Sequence, residues 1–102
     1  MKTTRYQKIF ITGALGFVGR ALAECYRAFG AEACGLDVRA DSALNIVAGD
    51  VSKPEAWQSA MDGCDLVIHT AAIVTNNVAR EEAWRVNVLG ARRVLDAAIR
   101  AR

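Results

Sequence analysis

The residues Lys8-Ile-Phe-Ile-Thr12, then Gly13-Ala-Leu-Gly16-Phe17-Val18-Gly19, then an amphipathic run to Phe29, carry most of what this sequence says. Lys8–Thr12 is short, apolar in its middle and without polar alternation, which suits a strand covered on both faces of a parallel sheet. From Phe17 onward Val18, Leu22, Cys25 and Phe29 recur at helical spacing, and Gly30 follows where a left-handed residue ends a helix. Strand, glycine turn and helix N-terminus in direct succession form a cradle for an anion. The first-turn N–H groups of a helix have no intrahelical acceptor, and the dipole there is positive. Gly13 permits the sharp turn, Gly16 lets the backbone approach a phosphate pair, and Gly19 lets the helix lie close to the sheet. A plain tight turn is the simpler alternative, weakened by the placement between a strand and an amphipathic helix. No Gly-Lys-Ser/Thr ending follows, so a P-loop phosphate site is ruled out.

Working outward, Glu32–Asp37 and Leu44–Gly49 read as the second and third strands, with Val38–Ala43 too short between them for a firm helix. Ser52-Lys-Pro-Glu55 has capping-box spacing with proline in the first turn, which predicts a helix to about Met61, closed by Gly63. Asp65–His69 is the fourth strand. The last helix is predicted from about Glu81 to the C-terminus, burying the stripe Trp84, Val88, Ala91, Leu95 and Ala98. Arg85, Arg92, Arg93, Asp96 and Arg100 are expected to face away from it. Strand–helix alternation of this kind means an α/β fold with a parallel sheet.

The bulk properties narrow the function classes. At 102 residues the chain holds a single domain, and 53% hydrophobic with 24% charged residues argues against disorder. No apolar run approaches the ~20 residues of a membrane helix, and the N-terminus lacks the apolar core of a secretion signal, so a cytoplasmic protein is expected. A net charge of +2 gives no field for nucleic acid or anionic lipid. Cys25, Cys34 and Cys64 lack C-x-x-C spacing and His69 is the sole histidine, so no zinc set is expected and the thiols read as small apolar residues.

Asp37 ends the second strand 18 residues after Gly19, near the ~20 expected of the acidic residue that holds an adenosine ribose. Its carboxylate would accept from both ribose hydroxyls and repel a 2′-phosphate, favouring NAD over NADP. Arg39 keeps NADP open, since a guanidinium stacks on adenine or pairs with a 2′-phosphate. A solvated acidic residue at a strand end is the plainer alternative for Asp37.

The glycines are spaced Gly13-x-x-Gly16-x-x-Gly19, with Thr12 before and Phe17 after the second. This pattern resembles the short-chain dehydrogenase/reductase superfamily, and more narrowly its extended branch of NAD-dependent epimerase/dehydratase and 3β-hydroxysteroid dehydrogenase-like proteins. Three further segments resemble that branch in the right order: Gly49-Asp50-Val51, His69-Thr70-Ala71-Ala72 and Val86-Asn87-Val88-Leu89-Gly90-Ala91. The resemblance covers residues 8–102 and implies the first four strands of a Rossmann-type sheet, order 3-2-1-4, with residues 1–102 forming the N-terminal part of one NAD(P)-binding domain. It implies a cofactor site at Gly13, Gly16, Phe17, Val18, Gly19, Asp37, Val38, Arg39, Asp50, Val51, Thr70, Ala71 and Ala72. Within it, Asp50 would meet adenine, Thr70-Ala71-Ala72 would lie along the nicotinamide-side ribose, and Asn87 would be structural. Each has a plainer alternative: Asp50 as the start of a turn before Ser52, His69 as a buried strand residue with one ring nitrogen satisfied, and Trp57 and Trp84 as core or interface.

Members of this superfamily move a proton with a Tyr-x-x-x-Lys pair. Here Tyr6 is followed at the fourth place by Phe10 and Tyr26 by Gly30, so the pair is absent and no catalytic residue is assigned. The expectation is therefore the dinucleotide-binding part of an oxidoreductase or epimerase, acting on a small-molecule substrate in a longer parent and inactive alone. A non-catalytic dinucleotide sensor or an interaction module with the same fold is the alternative. The last helix and an uncovered fourth strand further imply a homodimer.

Overall fold

Alternate residues of β1 (Lys8–Thr12) enter two different cores, Ile9 and Ile11 one and Phe10 the other. That is the consequence of an apolar strand with both faces covered. The computed structural model describes residues 5–72 and 79–101. β1 pairs in parallel with β2 (Glu32–Asp37) on one side and β4 (Leu66–His69) on the other. β3 (Ile46–Ala48) adds to β2, giving the order β3-β2-β1-β4. On one face α1 (Phe17–Ala28) packs Leu22, Ala23 and Tyr26 against Ile9, Ile11 and Ala33. On the other, Phe10 and Leu36 meet Trp57, Met61, Val94 and Ala97. The expected α/β class and 3-2-1-4 sheet are what the chain forms, and Gly30 ends α1 at φ +92° as its position implies.

Three local expectations are corrected. Ser52 starts no α-helix: two 3-10 turns, Pro54–Ala56 and Gln58–Met61, stand there instead. The Ser52 hydroxyl and amide both donate to Asp50 Oδ1, at 2.7 and 2.9 Å, leaving the capping box unmade. Trp57 breaks the helical phase at φ −136°, because its ring is 1% exposed, stacks on Phe10 and donates Nε1–H to the Asp50 carbonyl at 2.7 Å. The third strand is also shorter than expected, since a 3-10 turn at Ser42–Leu44 and a left-handed Asn45 precede Ile46.

The last helix is the third correction. α2 (Arg80–Trp84) passes through a π-helical turn (Arg85–Leu89) into α3 (Gly90–Ala101). Gly90, Val94 and Ala97 are its buried residues, whereas Trp84, Val88 and Leu95 of the expected stripe are 56%, 51% and 62% exposed. A Cβ on Gly90 would stand 2.5 Å from Val51 Cγ2, so the helix approaches the sheet along its small residues rather than its large ones. Residue 102, the expected end of this helix, and residues 1–4 lie outside the described residues.

Of the cysteines, Cys34 and Cys64, both half-buried, bring their sulfurs to 3.8 Å against the second core, while Cys25 is exposed. Burial, and then the neighbouring Cys34 sulfur, pushes the Cys64 thiol up to about 12, so it behaves as the small apolar residue expected. Among the described residues no helix is long and apolar enough to cross a membrane.

Candidate functional site

All four strands deliver their carboxyl ends to one rim, and the local chemistry there is dictated by Gly13. Its φ of +68° and the absence of a side chain let the chain fold back onto β2, with the Gly13 and Ala14 amides both donating to the Leu36 carbonyl at 2.8 and 3.2 Å. A Cβ at Gly13 would lie 2.6 Å from Thr70 Oγ1 and 2.9 Å from the Ala71 nitrogen, a fit only glycine meets. Gly19 sits one helical turn on, where a Cβ would stand 2.2 Å from the Gly13 carbonyl. Gly16 is the N-cap of α1, which has no side-chain cap and no acidic residue in its first turn. The positive end of the helix is thus left for an external anion.

Thr12 locks this turn to the strand beside it. Its buried hydroxyl accepts from the Thr70 and Ala71 amides at 3.1 and 3.2 Å, and Thr70 Oγ1 donates to the Thr12 carbonyl at 2.6 Å. With both acceptor positions used, the Thr12 proton points to His69 Nδ1 at 2.6 Å. His69 is then the neutral Nε2–H tautomer, and desolvation lowers its pKa accordingly. The ring nitrogen is satisfied, as expected for a strand histidine, but the residue is exposed rather than buried.

Asp37 ends β2, and Asp50 lies two residues beyond the end of β3. Asp37 Oδ2 accepts the Leu15 amide of the glycine turn at 2.8 Å, and Oδ1 accepts Val38 N–H at 2.7 Å. Asp50 makes the turn foreseen as its plainer alternative, through Ser52, and also forms an ion pair with Arg85. Desolvation would raise the Asp50 pKa, but the Ser52 donors and Arg85 outweigh it and hold the carboxyl below the usual range. Arg85 Nη1 also reaches Ser52 Oγ at 2.6 Å, while its Nε and Nη2 fork onto Glu82.

These groups surround a cavity of about 550 Å³, within the roughly 300–1,000 Å³ of small-molecule sites. Of the expected site residues, Gly13, Gly16, Val18, Gly19, Asp37, Val38, Asp50, Val51, Thr70, Ala71 and Ala72 line it. Phe17, 94% exposed, and Arg39, also exposed, are not in its lining. Leu36, Gly49, Glu82, Arg85 and Val86 line it without having been foreseen. Gly49 adjoins the quoted Asp50 motif. Glu82 and Arg85 carried no inward signal, because the helix stripe placed Arg85 on the outer face.

Residues 9–102 match the family model of the NAD dependent epimerase/dehydratase family. This chain belongs to that family. The epimerase/dehydratase chain is 35% identical over 94 residues to a 2-alkyl-3-oxoalkanoate reductase of Shewanella oneidensis, covering 86% of this chain and 24% of the reductase. It is 30% identical over 111 residues to a 3β-hydroxysteroid dehydrogenase/Δ5→4-isomerase of Mycobacterium tuberculosis, covering 97% of this chain and 30% of that protein. A short-chain dehydrogenase/reductase superfamily protein of Agrobacterium tumefaciens, solved with bound NAD, is 35% identical with a TM-score of 0.83, over 93% of this chain and 30% of its own. The curated relatives are much longer, and the chain spans between 24% and 37% of their length.

Proposed function

We propose that residues 1–102 bind NAD across the carboxyl rim of the sheet, as the dinucleotide-binding part of an NAD(P)-dependent oxidoreductase or epimerase of the short-chain dehydrogenase/reductase type. One observation carries this: the uncapped N-terminus of α1 at Gly16 and the carboxylate of Asp37 open onto the same cavity. The backbone around Gly16 would hold the pyrophosphate, and Asp37 the adenosine ribose hydroxyls. Asp37 is itself oriented by Leu15 N–H, so the ribose anchor and the phosphate cradle are one hydrogen-bonded unit. Thr70, Ala71 and Ala72 leave room for the nicotinamide-side ribose at the end of β4. A bound nicotinamide supplies a hydride acceptor or donor to a hydroxyl-bearing or carbonyl carbon. The Asp37 carboxylate favours NAD over NADP because a 2′-phosphate would meet a fixed negative charge. The same reading makes the protein a homodimer, supported by the exposed apolar residues of the last helix.

Calorimetric titration of the chain with NAD tests the assignment. The expected result is saturable binding that Gly16→Val abolishes with the fold retained by circular dichroism. Asp37→Ala should weaken NAD and shift preference toward NADP. Equal dissociation constants for the unsubstituted chain and both variants would overturn the site.

A further inference from the structure

The order of the strands sets a direction along the rim. The glycine turn follows β1, Asp37 ends β2, and Gly49-Asp50 follows β3 at the outer edge of the sheet. A dinucleotide with its pyrophosphate at the glycine turn and a ribose at Asp37 therefore brings its purine to Asp50. What stands beside Asp50 there is Arg85, the residue expected to face solvent.

We propose that Arg85 is a positioning residue for the purine end, making the pocket select a 6-aminopurine over a 6-oxopurine by fixing Asp50 as an acceptor. The proposal rests on the dinucleotide reading above. Asp50 Oδ1 is engaged twice, by Ser52 N–H at 2.9 Å and Ser52 O–H at 2.7 Å, and Oδ2 pairs with Arg85. The carboxylate thus cannot rotate freely, and in its ionised form it offers only acceptor positions. An adenine amino group donates to such a carboxylate. The 6-carbonyl of hypoxanthine is an acceptor and meets it with like polarity.

The arginine is itself held. Its Nε and Nη2 fork onto Glu82 one turn earlier on the same helix, and its Nη1 reaches both Asp50 and Ser52. Its helix is pressed against the residue next to Asp50 by the Gly90–Val51 approach. The π-helical turn begins at Arg85, and such turns often occur at functional sites. Arg85 also supplies a positive charge among Asp37, Asp50 and Glu82, the carboxylates lining the cavity. Removing it would leave three negative charges around a ligand that brings two more.

The test compares NAD with nicotinamide hypoxanthine dinucleotide by calorimetry on the unsubstituted chain, Arg85→Met, Arg85→Lys and Ser52→Ala. The unsubstituted chain should bind NAD about tenfold more tightly than the hypoxanthine analogue, the effect of one charge-assisted hydrogen bond. Arg85→Met should weaken NAD and bring the ratio close to one, Ser52→Ala should lower it in the same direction, and Arg85→Lys should restore part of it. A role in folding alone would weaken both ligands equally and leave the ratio unchanged. NAD binding with an unaltered ratio in Arg85→Met and Ser52→Ala overturns the role of Arg85 while leaving the dinucleotide site standing. No NAD binding by the unsubstituted chain overturns both.

Discussion

Gly19 and His69 show how much single positions on the rim constrain. A methyl group at Gly19 would sit 2.2 Å from the Gly13 carbonyl, and its nearest neighbours are all backbone atoms of Gly13 and Ala14, so nothing flexible can yield. Gly19→Ala is expected to lower stability by about 1–3 kcal/mol, read as a reduced urea midpoint with unchanged slope. Gly16→Val meets only the Gly13 carbonyl, so its effect should fall on ligand rather than fold. His69 gives a pH dependence whose sign follows from the partial desolvation of its ring, which disfavours the charged form. Its folded pKa lies below the usual 6.5, so between the two values the unfolded chain binds the extra proton. This contribution is complete above pH ~6.5 and is lost as pH falls through that window. The loss of unfolding free energy between about pH 7.5 and pH 5.5 should shrink in His69→Gln. An equal loss in both proteins would mean that the desolvation of His69 is not coupled to folding.

Elements on the second face are shaped by Trp57. Its ring fills the space between Phe10 and the loop after β3, and its indole N–H satisfies the Asp50 carbonyl. The 3-10 turns on either side are what the chain adopts when an aromatic ring must reach the core from the middle of a predicted helix. Trp57→Ala should cost about 3–5 kcal/mol in chemical denaturation. It should also loosen the Asp50 loop, so any residual NAD binding should lose its selectivity for adenine. A cost under ~1 kcal/mol would place Trp57 outside the cooperative core.

For the whole molecule, the last helix presents Trp84, Val88, Leu95 and Ile99 to solvent while burying Gly90, Val94 and Ala97. Apolar side chains aligned on an exposed helix favour association. Sedimentation velocity on the chain should show mass rising with concentration. The double variant Leu95→Glu, Ile99→Lys should remain monomeric with its circular dichroism intact, because neither side chain belongs to the core. Association unchanged in that variant would move the contact elsewhere, with the β4 edge the next candidate.

The strand–helix alternation and the glycine turn were legible in the residues themselves, whereas the order 3-2-1-4 came from the family resemblance. An unbroken apolar strand, a glycine triplet and an amphipathic helix are local patterns, and each constrains backbone geometry within a few residues of itself. The acidic marks at Asp37 and Asp50 were legible for the same reason, since one ends β2 and the other lies two residues past β3, on the rim where the strands' carboxyl ends meet. Arg85 was not. Periodicity told only that the last helix had an apolar stripe, while the face it buries was settled by where Gly90 can approach Val51. That contact joins residues 39 positions apart in sequence. It turned the large apolar side chains outward and Arg85 toward Asp50, and no spacing within a single helix encodes such a choice.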